Sequence, residues 1–139
     1  MVKLTLPYPP SINHYWRNFR GRMVISQEGR AFRRSVCALL APGSGNGPRQ
    51  PPSGGRIALT MDAFPPDRRR RDLDNLQKAL LDALQHGGVY QDDSQIDLLV
   101  TRRCDTVPEG LLLVQIMELP SQRCPVCGGP LNNTNVESN

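Results

Sequence analysis

Asp67-Arg68-Arg69-Arg70-Arg71-Asp72-Leu73-Asp74-Asn75-Leu76-Gln77-Lys78 joins two segments of different periodicity. Before it, Arg56 to Phe64 alternates as a strand does and should be central to a sheet. After it, Leu76, Leu80, Ala83 and Leu84 recur at helical spacing, which predicts a helix over roughly Leu73 to His86, closed by Gly87-Gly88. The connection carries four consecutive guanidinium groups and then two carboxylates one residue apart. Arginine forks suit phosphate, because each can pair two phosphate oxygens at once. Aspartates beside phosphate repel it unless a divalent cation stands between them, held by hard oxygen ligands. The juxtaposition points to metal-dependent chemistry on a nucleic-acid backbone.

Working outward, Val2 to Leu6 reads as a short strand, followed by a proline-braked segment, Pro7-Tyr8-Pro9-Pro10-Ser11-Ile12-Asn13. His14-Tyr15-Trp16-Arg17 and Arg20-Gly21-Arg22 interleave aromatics with arginines. Asn13, Tyr15 and Trp16, with Arg17 and Arg20, are candidates to stack on bases or hold backbone; packing of the segment onto the core is the alternative for Tyr8, Tyr15 and Trp16. A brief strand at Met23-Val24-Ile25 stops at Ser26, a good N-cap. In the helix after it Phe32, Val36, Leu39 and Leu40 form the apolar stripe, and it ends at Pro42. Residues 42–55 are rich in proline and glycine and read as a flexible loop. Two antiparallel strands, near Ile96–Cys104 and Leu111–Leu119, should be joined around Pro108-Glu109-Gly110. The order predicts one α+β domain over residues 1–119, with two main helices on one face of a mixed sheet.

The chain has 139 residues, enough for one core, and a formal charge of +4 from 17 basic and 13 acidic side chains. Lys3 and Lys78 are the only lysines, so the basic side is almost entirely arginine. No apolar run approaches the roughly 18 residues that span a bilayer, and the start lacks a secretory apolar core. A cytoplasmic location is expected, with Cys37, Cys104, Cys124 and Cys127 reduced. His14 and His86 have no partner motif and read as incidental.

Asp72 and Asp74 have a bland reading as helix-start residues, worth about 0.3–1 kcal/mol through the dipole. Asp74 and Lys78, four apart, share a helix face. Asp92-Asp93 lies in the corner after the helix, where a short antiparallel return can bring it beside the helix start or the strand end preceding it; otherwise it is a solvated loop. Three carboxylates within about 4 Å repel by roughly 1 kcal/mol per pair in water and about 4 kcal/mol at an effective dielectric of 20. Such a cluster needs a cation, and an all-oxygen set selects Mg²⁺ or Mn²⁺ over zinc.

These blocks, Leu6 to Trp16, Pro66 to Ala79 and Asp92 to Ile96, resemble the RusA family of Holliday-junction resolvases in order and spacing, over roughly Lys3 to Glu118. The resemblance implies a homodimeric, magnesium-dependent endonuclease that cuts four-way DNA junctions with paired symmetric nicks, in which Mn²⁺ substitutes. It implies catalytic and metal-binding roles for Asp72, Asp74 and Asp93, with Lys78 as the basic catalytic partner and Arg71 on phosphate. Arg68, Arg69 and Arg70 would hold the flanking backbone. A branched-DNA-binding module without catalysis is the rival reading. The tail, residues 120–139, departs from the family and should be largely disordered. Its Cys124-Pro125-Val126-Cys127 looks like half of a structural Zn²⁺ site, which requires four ligands; the remainder would come from across a dimer, from Cys104 or Cys37, or not at all.

Overall fold

A computed structural model describes residues 2–11, 16–41, 43–44, 54–120 and 123–129. The chain runs β1 (Val2–Pro7), β2 (Trp16–Phe19), β3 (Arg22–Ile25), α1 (Gln27–Leu40), β4 (Ile57–Phe64), α2 (Leu73–His86), a 3-10 turn (Asp93–Gln95), β5 (Ile96–Arg103) and β6 (Leu111–Glu118). This is the expected α+β domain. Most of the 42–55 segment and everything after residue 129 lie outside the described residues.

The four-stranded sheet has the order β1-β6-β4-β5. β4 is antiparallel to β6, with Met61 opposite Val114, and parallel to β5, with Met61 opposite Thr101. β1 closes the far edge against β6, with Leu4 opposite Val114. Sequence reasoning expected β5 and β6 to pair as a hairpin. They run in opposite directions, but β4 lies between them. β4 buries Ile57, Ala58 and Leu59 in succession, the small Ala58 lying between Leu98 and Met117 of its two neighbours. The 104–110 connection therefore crosses the end of β4, where the Cys104 amide donates to Ala63 O (2.8 Å) and the Val107 amide to Pro65 O (3.0 Å).

Side-chain alternation divides the sheet cleanly. Leu4 and Leu6, Leu59 and Met61, and Leu112 and Val114 all point to one side and are buried. Both helices cover that side. α1 begins at Ser26, whose hydroxyl accepts from the Gly29 amide at 3.0 Å, and buries Phe32, Val36 and Leu40. α2 buries Leu76, Ala79, Leu80, Ala83 and Leu84. Isolated helices of this length are marginal in water, so the buried stripes stabilise them. Arg33 pairs with Asp82 across the two helices at 2.8 Å. Tyr90 fills the end of the core and donates its hydroxyl to Leu81 O (2.8 Å).

Among the described residues no helix covers the opposite side of the sheet. Leu98, Val100, Leu113 and Met117 are 51%, 41%, 39% and 51% exposed there. A second feature escaped the sequence reading: β2 and β3 form a separate antiparallel hairpin, with Phe19 opposite Arg22. Its two-residue turn, Arg20-Gly21, takes φ of 51° and 76°, the doubly positive geometry that matches strand twist. Arg17 and Arg20 flank the Phe19 ring at 5.4 and 5.3 Å.

Candidate active site

Parallel strands present their carboxyl ends to the same edge of a sheet, and in open α/β sheets that edge is where ligands bind. β4 ends at Phe64 and β5 at Arg103, so the arginine-aspartate segment and residues 103–106 meet there. Together with Tyr8 from the end of β1 they line a cavity of about 440 Å³ that includes Arg68, Arg69, Arg70 and Arg103. A wider groove, about 900 Å³, adjoins it and includes Tyr8, Arg70, Asp72 and Asn75.

The loop is held from within. Asp67 accepts from the Arg69 amide at 2.9 Å and from Arg71 Nη1 at 2.7 Å. Arg71 also donates to Asp67 O at 3.1 Å and lies over the Tyr8 ring at 5.7 Å. Arg103 donates to the Arg71 carbonyl. The side-chain bond from Arg71, then the Arg69 amide, lowers the Asp67 carboxyl to about 2. A depressed carboxylate contributes its bonds above its unfolded pKa and loses them as pH falls, so this clasp opens only as pH drops through about 2. Burial raises the Tyr8 hydroxyl above its ordinary value, with Arg71 and Arg103 opposing.

With Arg71 largely engaged by the loop, Arg68, Arg69 and Arg70 project outward and are exposed. Arg69 retains only a long 3.7 Å contact to Asp67. Asp72 occupies the N-cap position of α2, with φ −91° and ψ 139°, yet its side chain caps no amide. Asp74 sits in the first turn. Asp72, Asp74 and Lys78 are all exposed. Lys78 is one turn beyond Asp74, and no ion pair joins them among the described residues. Capping therefore does not account for Asp72, and pairing does not account for Asp74.

Asp93 is elsewhere. Because β5 is parallel to β4, α2 is a crossover that returns the chain to the amino end of the sheet. Asp93 precedes Ile96, which pairs with Ile57. An eight-residue strand rising about 3.3 Å per residue places it roughly 25 Å from Asp72. The expected antiparallel return beside the helix start does not occur. Among the described residues no three acidic, histidine or cysteine side chains come together around a possible metal position. The corner that carries Asp93 is nonetheless firmly built. Gln95 is buried, its Oε1 accepts from the Gln91 and Asp92 amides (2.8 and 3.1 Å), and its Nε2 donates to Gly55 O (2.8 Å).

Arg103, Tyr8 and Asn75 were not singled out from sequence. Arg103 joins the site only through the parallel register of β5, which periodicity does not encode. Asn13 and Tyr15 lie outside the described residues; Arg17 belongs to the β2-β3 hairpin. In the tail, backbone amides of Cys127 and then Val126 lower the Cys124 thiol below its ordinary value.

Gly110 fixes how the 104–110 connection packs on this edge. It takes φ +68°, and a Cβ there would stand 2.9 Å from both Pro66 Cδ and Tyr8 Cβ. Gly110→Ala is expected to cost about 1–3 kcal/mol, from overpacking and strained backbone together. Gly54→Ala, where a Cβ meets nothing within 4 Å, is the control. Thermal unfolding that shows equal midpoints for the two variants would contradict this packing.

Known proteins resemble the chain over most of its length. The family model described as Endodeoxyribonuclease RusA matches residues 7–116. The crossover junction endodeoxyribonuclease RusA of Enterobacteria phage HK97 is 39% identical over 123 residues, covering 86% of this chain and 96% of its own. Proteins of the same name from Escherichia coli (strain K12) and Enterobacteria phage 82 are 44% and 45% identical over 94 residues, covering 67% of this chain and 74% of theirs.

Proposed function

The chain belongs to the RusA family of endodeoxyribonucleases, and from that premise we propose how it resolves Holliday junctions: as a magnesium-dependent homodimer making paired symmetric nicks. The observation that carries this reading is the pair Asp72 and Asp74, exposed and uncommitted beside three outward arginines. A pure DNA-binding module has no use for bare carboxylates against phosphate.

The donor set suits a hard cation. Among the described residues the Asp72 and Asp74 carboxylates make no cap and no ion pair, and the set contains no thiol or imidazole to favour zinc. One subunit cannot bring Asp93 to them across about 25 Å. The uncovered sheet face supplies a way. Two copies packed through Leu98, Val100, Leu113 and Met117, with strands running oppositely, set the amino edge of one sheet over the carboxyl edge of the other. Asp93 of the partner subunit then completes each site, and a C2 dimer carries two of them, matching the near two-fold symmetry of a four-way junction.

Asp72 and Asp74, with Asp93 of the partner subunit, would hold Mg²⁺, or Mn²⁺ in its place, which would supply charge neutralisation at the phosphate and a lowered pKa for an attacking water. The remaining work belongs to side chains. Arg68, Arg69 and Arg70 grip backbone phosphates on either side of the cut and position the strand without reading its sequence. Lys78, one turn along α2, places an ammonium where charge gathers on the leaving oxygen. The Asp67–Arg71 clasp keeps the arginine segment in register with the helix start. Arg17 of the β2-β3 hairpin extends the DNA surface, and the protein works in the cytoplasm, on the nucleoid. Among the described residues no helix is long and apolar enough to cross a membrane.

The deciding experiment compares a synthetic four-way junction with linear duplex, in magnesium and in EDTA. Symmetric nicking of the junction alone, abolished by EDTA, is expected; binding without cleavage in either metal would leave only the DNA-binding module. Each phosphate contact should also register in salt dependence. Arg70→Ala should flatten the slope of log K against log salt by about 0.9 on duplex arms. It should weaken binding equally across junction sequences. Anisotropy titrations without divalent metal measure both, and an unchanged slope would remove Arg70 from the interface.

A further inference from the structure

Residues 123–129 lie beyond the sheet and form a turn. The Cys124 amide donates to Gly129 O and the Gly128 amide to Cys124 O, both at 2.8 Å. The amides of Cys127 and Val126 point at the Cys124 sulfur. Gly128, at φ +72°, lets the chain fold back. Two sulfur atoms are thereby presented from one tight turn, Cys124 half-buried and Cys127 exposed. No core explains the turn, since its one large apolar side chain, Val126, is 92% exposed. The junction-cleaving machinery makes no use of it.

A Cys-x-x-Cys turn with amides aimed at sulfur suits a soft, tetrahedral ion, and a structural zinc site takes four ligands. One subunit offers two. No third metal-binding side chain joins them among the described residues. Cys104 follows the carboxyl end of β5, whereas the Leu119 amide, bonded to Arg56 O at 2.9 Å, fixes the tail's departure at the opposite edge. His86, which α2 carries to the tail's edge, faces Asp82 at 3.7 Å.

We propose that Cys124 and Cys127 form half of a zinc-thiolate site, completed by the same two cysteines of a second copy of this chain. Chain length permits this within one dimer. Five residue steps separate Leu119 from Cys124, a reach of at most about 17 Å per tail or about 34 Å for two. That exceeds the roughly 25 Å between opposite edges of the sheet. The ion acts as a clasp between subunits, separate from the magnesium chemistry.

The test uses the full chain, purified under reducing conditions and dialysed against metal-free buffer. Elemental analysis should find one zinc per two chains, and none in the C124S/C127S variant. Cobalt substitution should give the intense visible bands and sulfur-to-metal charge transfer of a tetrahedral four-thiolate centre. Junction cleavage by C124S/C127S in magnesium should stay near the unaltered rate, so the metal readout stands apart from nuclease function. Zinc no higher than in the double variant, one zinc per chain, or a Cys124–Cys127 disulfide in place of metal would each overturn the shared site.

Discussion

Replacing Asp72 by asparagine should slow junction cleavage in magnesium about a thousandfold while leaving junction binding intact. The side chain keeps its size and loses its charge, so the α2 start, where Asp72 caps nothing, has little reason to change. What disappears is one anionic ligand to a divalent cation. A loss of about 4 kcal/mol in transition-state stabilisation corresponds to three powers of ten in rate. Removing a negative charge beside phosphate should hold or tighten binding, which separates catalysis from recognition. Single-turnover cleavage and a binding titration on the same preparation give both numbers. If Asp72→Asn cuts within tenfold of the unaltered chain, Asp72 is not a metal ligand.

The second large effect concerns which subunit supplies Asp93. Asp72→Asn and Asp93→Asn should each be inactive alone. Mixed and allowed to exchange subunits, half the dimers pair one variant chain with the other. With Asp93 acting across the interface, each such heterodimer holds one fully intact site and one doubly altered site. Cleavage should return, and it should return as single nicks, since only one strand can be cut per encounter. If Asp93 acted within its own chain, both sites would lack one acid and mixing would restore nothing. A mixture as silent as its parents, with exchange verified by mass, refutes the assembly.

Much of the fold was legible because local signals agreed with it. Ser26 before the Phe32-Val36-Leu40 stripe marked α1, and Gly87-Gly88 marked the end of α2. The strand at Arg56–Phe64 and the basic-acidic junction after it were visible from a change of period. What failed was partner choice. Alternation in β5 and β6, with Pro108-Glu109-Gly110 between them, fits a hairpin as well as it fits two strands flanking a third. Centrality of the Arg56–Phe64 strand was read correctly, but it does not say which two strands flank it, and the register that sets β5 and β6 on either side of β4 is not encoded in alternation. That one error carried the Asp93 expectation with it, since strand direction decides which end of the sheet a corner occupies. The Arg20-Gly21 turn was readable as a hairpin signal, but the aromatic and basic residues around it suggested DNA contact first. The cysteine spacing was plain in the sequence, whereas amides aimed at Cys124 sulfur became visible only with backbone geometry.

The sheet order carries a consequence for synthesis. β1 spans Val2–Pro7, yet the strand it pairs with is β6, Leu111–Glu118, which also supplies one whole side of β4. At a translation rate of about 5–20 residues per second, the first strand waits several seconds for its neighbour. Until residue 118 has cleared the ribosome, β4 has one flank bare and the edge that seats Arg68–Asp72 is unbuilt. A nascent chain near transcribed DNA is thus a nuclease without a working cleft, and its cutting power arrives only with the last strand.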